Sequence, residues 1–194
     1  MIDLSKAGQQ FLYMKVGTHA KEPLEDIIKR KTLEIEQAGY AMWGYGGNTC
    51  HPQTKVQPFA RTYEQRGGVI YLCMEEMDSR HFAEQVRAEE WSVDGTEWHD
   101  IPPAISVLGS RYALVIKNLH KEEFDISLRD TKVAIGDCAG VPGSKYIKGR
   151  VDKGCLEVLA PPSVDPHDDK PVHIKLVAEI IDPYAVLLRN KPQE

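Results

Sequence analysis

The segment Trp43-Gly44-Tyr45-Gly46-Gly47-Asn48-Thr49 gathers the groups that a flat, polar ligand requires. Its rings offer stacking surfaces, its glycines admit close backbone approach, and its amide and hydroxyl can bond a ligand's edge. Trp43 and Tyr45 are therefore read as aromatic walls, and Gly46, Gly47, Asn48 and Thr49 as a polar cradle for a nucleotide-like molecule. Arg61 or Lys15 would neutralise its phosphate. The segment is not a Walker A loop, because no Gly-Lys-Ser/Thr follows, and it lacks Gly-x-Gly-x-x-Gly after a first strand. A competing reading makes the glycines a plain turn and Trp43 a core residue.

Cys50-His51-Pro52 suggests a second chemistry, since a thiolate in a glycine-rich loop with an imidazole base is the pairing of nucleophilic catalysis. Neighbouring side chains on an extended segment point apart, so Cys50 would need His19 or His81 from another strand end. His19, His51 and Cys50 are thus the candidate catalytic residues of a hydrolase or transferase, with a metal-bound water as the alternative nucleophile. His19, His51 and His81 with Glu75, Glu76 and Asp78 would bring imidazoles and carboxylates to one rim. Their spacing matches no ligand motif, so no metal and no cofactor is assigned.

Positive charge collects at Lys145, Lys148, Arg150 and Lys153 around Tyr146. Such a run can hold phosphate while its ring stacks on a base, but alternation with Ile147 and Val151 fits the wet face of a half-exposed strand, which is the preferred reading. Trp91 and Trp98 flank Asp94-Gly95, the signal for a two-residue hairpin, and would pair across it. Exposed there, they would make the chain a protein-interaction module, a third functional class. Lys31 interrupts an apolar helical stripe, with its methylenes expected on the core and its ammonium snorkelling outward.

These groups need a scaffold. Residues 11–17, 40–45 and 69–74 read as strands, separated by a helix and by a short helix over 59–66. The first helix has Pro23 at its start, Gly39 past its end, and Leu24, Ile27, Ile28, Ile35 and Ala38 on one face. Strand-helix-strand connections imply parallel neighbours, whose C-terminal ends would share one rim carrying Thr18-His19, the 46–51 loop and residues 75–81. Beyond the hairpin, strand-like runs cover 104–119, 132–135, 145–151 and 172–188, and residues 161–171 read as a surface loop. The expected fold is α+β: an N-terminal β-α-β-α-β parallel unit followed by a mainly antiparallel β region, packed as one domain over residues 1–194.

Composition sets the outer limits. The chain has 42% hydrophobic and 27% charged residues, ordinary values for a globular protein. A net charge of −5 disfavours duplex nucleic acid, whose binding is driven by phosphate neutralisation, and favours a small-molecule or nucleotide partner. No apolar run reaches the ~20 residues of a membrane helix. Cys50, Cys73, Cys138 and Cys155 form no Cys-x-x-Cys pair, so free thiols and a cytoplasmic location are expected.

Overall fold

The computed structural model describes residues 2–46, 51–81, 83–159 and 171–193. Strand β1, Gln10–His19, opens with Phe11, Leu12 and Tyr13, all fully buried, so both of its faces are covered. Helix α1, Leu24–Ala38, starts after Pro23 with Glu25 and Asp26 in its first turn, where carboxylates favour the positive end of the helix dipole. It stops at Gly39, whose φ of 84° suits a residue without Cβ. Strand β2, Ala41–Gly44, helix α2, Gln53–Gln65, and strand β3, Tyr71–His81, follow. The second half supplies β4, Glu90–Ser92, β5, His99–Asp100, β6, Tyr112–Ser127, and β7, Thr131–Val133; after these come helix α3, Gly143–Tyr146, β8, Lys153–Val158, and β9, Pro171–Arg189.

Among the described residues the nine strands form one mixed sheet in the order β2-β6-β9-β3-β1-β8-β7, with β4 joining β9 and β5. The architecture is α+β, as expected. β1 and β3 are parallel, from Leu12 opposite Leu72 to His19 opposite His81, and the other pairings are antiparallel. The expected three-strand parallel unit is corrected at β2, which runs antiparallel to β6 at the far edge. The edges explain it. β8 and β3 occupy the two sides of β1, while β1 and β9 occupy those of β3, so neither strand has a backbone edge left for β2.

Four strand spacings separate β2 from β1, about 19 Å in a flat sheet. Yet the Tyr45 hydroxyl, one residue past β2, donates to the Tyr13 carbonyl of β1 at 3.2 Å. The sheet must therefore curl until the exit of β2 faces β1. Its inner side packs Leu12, Leu72, Leu114 and Leu176 against Ile27 of α1 and Val56 and Phe59 of α2. Its outer side is split between one cluster around Phe11, Tyr13 and Ile174 and another around Met42, Ile105 and Val186.

Three local expectations change. The hairpin pairs Trp91 with His99 rather than with Trp98, because the Asp94 carboxylate accepts the Thr96 and Glu97 amides at 2.8 and 3.2 Å. Those bonds make a local turn, hold the Asp94 carboxyl down at about 2, and leave Trp98 half-buried beneath Arg189 at 4.0 Å. Residues 145–151 are not a strand: the Lys145, Tyr146 and Ile147 amides bond back to Pro142 and Gly143, forming α3 and a turn. The strand expected over 104–119 begins only at Tyr112. Most of the 161–171 loop lies outside the described residues. Among those described, no helix is long and apolar enough to cross a membrane.

The stripe of α1 carries the largest departure. Lys31 does not snorkel; it is 3% exposed, and its Nζ donates to Glu34 at 3.2 Å and to the Ser106 carbonyl at 2.6 Å. Glu34, itself 2% exposed, also accepts Arg30 Nη1 and the Ser106 amide, each at 3.0 Å. An outward lysine would have left that buried carboxylate short of a partner, so burying the ammonium beside it resolves two problems at once. Replacing Glu34 with Gln keeps the shape and strands the Lys31 charge. Denaturant unfolding should show a loss of about 3 to 5 kcal/mol, and a loss below ~1 kcal/mol, the range of exposed pairs, would contradict the buried-pair account.

Candidate functional site

A cavity of about 320 Å³ opens where β1 ends, close to the lower limit of ordinary small-molecule sites. β1 contributes Met14, Lys15, Val16, Thr18 and His19 to its wall. Trp43 to Gly46 enter from the exit of β2, Leu24, Ile27, Arg30 and Lys31 from α1, and Met77 from β3. Residues 107–110 form one side, and Asp152 and Lys153 the rim of another. Antiparallel register places Lys153 opposite Met14, and the Lys15 amide donates to the Asp152 carbonyl at 2.8 Å, which holds that rim against β1.

The structure separates the residues of the glycine-aromatic segment by role. Trp43 and Tyr45 both line the cavity while being almost wholly buried. Tyr45 has its hydroxyl on Tyr13, Lys153 Nζ 5.8 Å from its ring centroid, and the Tyr112 ring tilted against it at 5.9 Å. It is a post between elements, which leaves Trp43 as the candidate stacking wall. The Gly46 amide is spent on the Tyr112 carbonyl at 3.1 Å. A Cβ on Gly46 would lie 2.1 Å from the Tyr112 ring, and one on Gly44 would lie 2.3 Å from Ser110 Oγ. These glycines let residues 107–112 lie against β2. Gly47, Asn48, Thr49 and Cys50 are outside the described residues, and Arg61 is exposed on α2, away from the cavity lining.

The candidate catalytic groups part company. His19 lines the cavity with Nε2 2.9 Å from the Leu108 carbonyl, and because a carbonyl only accepts, Nε2 carries the proton. That bond ties residues 107–110 to the end of β1. His51 is not in the cavity lining; it is buried and stacks on Tyr146 with centroids 5.6 Å apart and planes 9° from parallel. Among the described residues its Nε2 has no hydrogen-bond partner, and burial, aided by the Lys55 charge, pushes its pKa below the ordinary 6.5. His81 lies opposite His19 in backbone register. Among the described residues no group of three or more His, Cys, Asp or Glu side chains is gathered as metal ligands would be. Glu75 instead accepts the Tyr13 hydroxyl, and Glu76 lies 3.6 Å from Lys175.

Four cationic side chains, Lys15, Arg30, Lys31 and Lys153, line the cavity against the carboxylates Glu22 and Asp152. Arg30 bonds Glu22 at 2.6 Å as well as Glu34, so the α1 cations are balanced within their own network. Lys153 sits 3.6 Å from Asp152. The rim thus carries Lys15 and Lys153 against the single carboxylate of Asp152, one positive charge in excess, next to a wall of Met14, Val16, Trp43 and Met77. Sequence reasoning missed Arg30, Glu34, Asp152 and the 107–110 segment. The one visible signal was a lysine inside an apolar stripe with a glutamate three residues on. No family model matches the chain, and neither a curated protein nor a solved structure is significantly similar to it.

His51 gives this region a pH signature. With its pKa depressed in the folded state, the stability gained by keeping it neutral is fully present above about pH 6.5 and lost as pH falls, because the unfolded chain takes up the proton first. His51→Phe retains a ring against Tyr146 and removes the titration. The stability of this variant relative to the wild type, followed by urea unfolding from about pH 8 down to about pH 5, should be level above neutrality and should rise below about 6.5. A difference independent of pH would refute the neutral, buried state of His51.

Proposed function

We propose that the protein binds a small, planar, anionic ligand of the nucleotide type in the cavity at the end of β1. The observation that carries this reading is the division of one cavity into an aromatic and aliphatic wall around Trp43 and a cationic rim at Lys15 and Lys153. A base would lie against Trp43 over Met14, Val16 and Met77, exchanging hydrated apolar surface for contact. Its phosphate would sit at the rim, where a lysine is a compact donor with no acceptor of its own. The volume suits a single base with its sugar and phosphate better than an extended polymer. We place the protein in a reducing compartment, the cytoplasm, because Cys73 and Cys138 are free thiols with Cys138 exposed. A hydrolase or transferase reading has less behind it, since His19 spends Nε2 on Leu108 and His51 lies outside the cavity lining.

A thermal-shift panel of nucleosides and nucleoside monophosphates tests the class of ligand, with stabilisation of about 2.7 kcal/mol expected at a hundredfold excess over Kd. Lys153→Ala should weaken a monophosphate by about 1.5 to 3 kcal/mol, the value of a charged hydrogen bond, and leave the matching nucleoside unchanged by calorimetry. Trp91 and Trp98 do not line the cavity, so ligand quenching of tryptophan fluorescence should vanish in Trp43→Phe. Quenching that persists in that variant, or a panel without stabilisation, would overturn the proposal.

A further inference from the structure

Lys31 does more than balance Glu34. It lines the cavity while 3% exposed, and an ammonium has three N–H groups. Glu34 Oε2 at 3.2 Å and the Ser106 carbonyl at 2.6 Å take two of them. Among the described residues no third protein acceptor bonds this ammonium. We infer that Lys31 is a covalent anchor, forming a reversible imine with an aldehyde or ketone group on a ligand seated in this cavity.

Desolvation is the main force that makes such an amine reactive. It brings the Lys31 pKa down to about 8, opposed by the attraction of Glu34 and then assisted by the Arg30 charge, with Glu22 a weaker opposing influence. His19 on β1 shares the cavity with its Nε2 proton directed to Leu108. Residues 106–110 meet Lys31 with a carbonyl rather than a charge. A lysine desolvated beside another cation is the recognised route to a nucleophilic amine at neutral pH. The two retained N–H contacts would hold the lone pair of the neutral amine in the remaining position.

The step balances. The ammonium first gives one proton to solvent; the neutral nitrogen then attacks the carbonyl carbon, forming C–N as the C=O π bond breaks, and a proton passes from nitrogen to oxygen. That solvent proton returns to the hydroxyl, which leaves as water while the nitrogen pair forms C=N. In total, ammonium plus carbonyl yields protonated imine plus water, with charge conserved and no oxidant or reductant required. Hydrolysis reverses it.

The inference rests on the reading that this cavity is the ligand site, and it can be tested separately. The full chain is incubated at about pH 8, near the depressed value and below the ordinary lysine value of ~10.4, with pyridoxal 5′-phosphate, a planar ring bearing both an aldehyde and a phosphate. Glyoxylate serves as a smaller second probe. Borohydride then reduces any imine to a stable secondary amine, and peptide mass mapping locates it. Lys31 should carry at least tenfold more adduct than any other lysine with one probe or both. Lys31→Arg retains a cation for Glu34 and Ser106; it should keep its melting temperature and lose that adduct. Adducts spread over exposed lysines with Lys31 unmodified by either probe would overturn the inference, as would an undiminished yield in folded Lys31→Arg. Nucleotide binding without Lys31 labelling would remove the covalent role alone; Lys31 labelling without nucleotide stabilisation would remove the nucleotide reading alone.

Discussion

The hydrogen bond from the Tyr45 hydroxyl to the Tyr13 carbonyl marks the constraint on which the remaining architecture depends. Two strands that lie four positions apart in one sheet can touch only if the intervening strands coil strongly. β6 and β9 do this by length and irregularity. Their ladder runs from Tyr112 opposite Leu187 to Ser127 opposite Pro171, with register shifts between 114 and 116, 117 and 120, and 121 and 124. Each shift lets a strand bend where an unbroken ladder would resist. The curl creates an inside, α1 and α2 fill most of it, and the space they leave between β1, α1 and the exit of β2 is the cavity.

Electrostatics then fixes the wall alongside the packing that buries Ile105 and Val107. Residues 101–111 contain no strand, so no backbone ladder holds them over α1. Instead Ser106 offers both its amide and its carbonyl to Glu34, Arg30 and Lys31, and Leu108 offers its carbonyl to His19. In a dry setting each of these groups would be costly alone, and the network is stable because its members are jointly satisfied. It turns an irregular segment into a positioned wall, and it leaves a desolvated amine at the cavity surface. One arrangement thereby accounts for the shape and for the reactivity of the site.

The sequence made the elements legible where one local signal dominated. β1, α1 and β9 follow from buried apolar runs, from Pro23 with Gly39, and from a long β-branched run, and the α+β class follows from their order. β2 was placed wrongly because connection rules describe usual neighbours, whereas the outcome turned on which edges β8 and β9 had already taken, a competition among distant segments. Trp98 was misassigned for a local reason: the Asp94 carboxylate competes for the Thr96 and Glu97 amides and displaces ladder pairing. Residues 145–151 show the same competition, with the amides after Pro142 bonding back to form a helical turn. Lys31 was visible as an anomaly, but its partner on residues 101–111 comes from about seventy-five positions away in the chain, and periodicity carries no information on that contact.

Gly44 and Gly46 show how composition can point to a cavity through a different cause. A glycine-rich stretch beside aromatics suggests ligand contact because absent side chains admit a ligand. Here the space a Cβ would take is filled by Ser110 and by the Tyr112 ring, so it is the protein's own chain that approaches. That approach seats Tyr112 against Tyr45, and Tyr45 in turn reaches Tyr13, so the glycines shape the cavity that they line by seating the protein's own chain. In the proposed site the ligand-facing work passes to neighbours of ordinary appearance, a tryptophan before the glycines, two lysines at the rim and one in the helix. A site of this kind has no compact motif, because its parts are chosen by the closure of a curled sheet and not by adjacency in the chain.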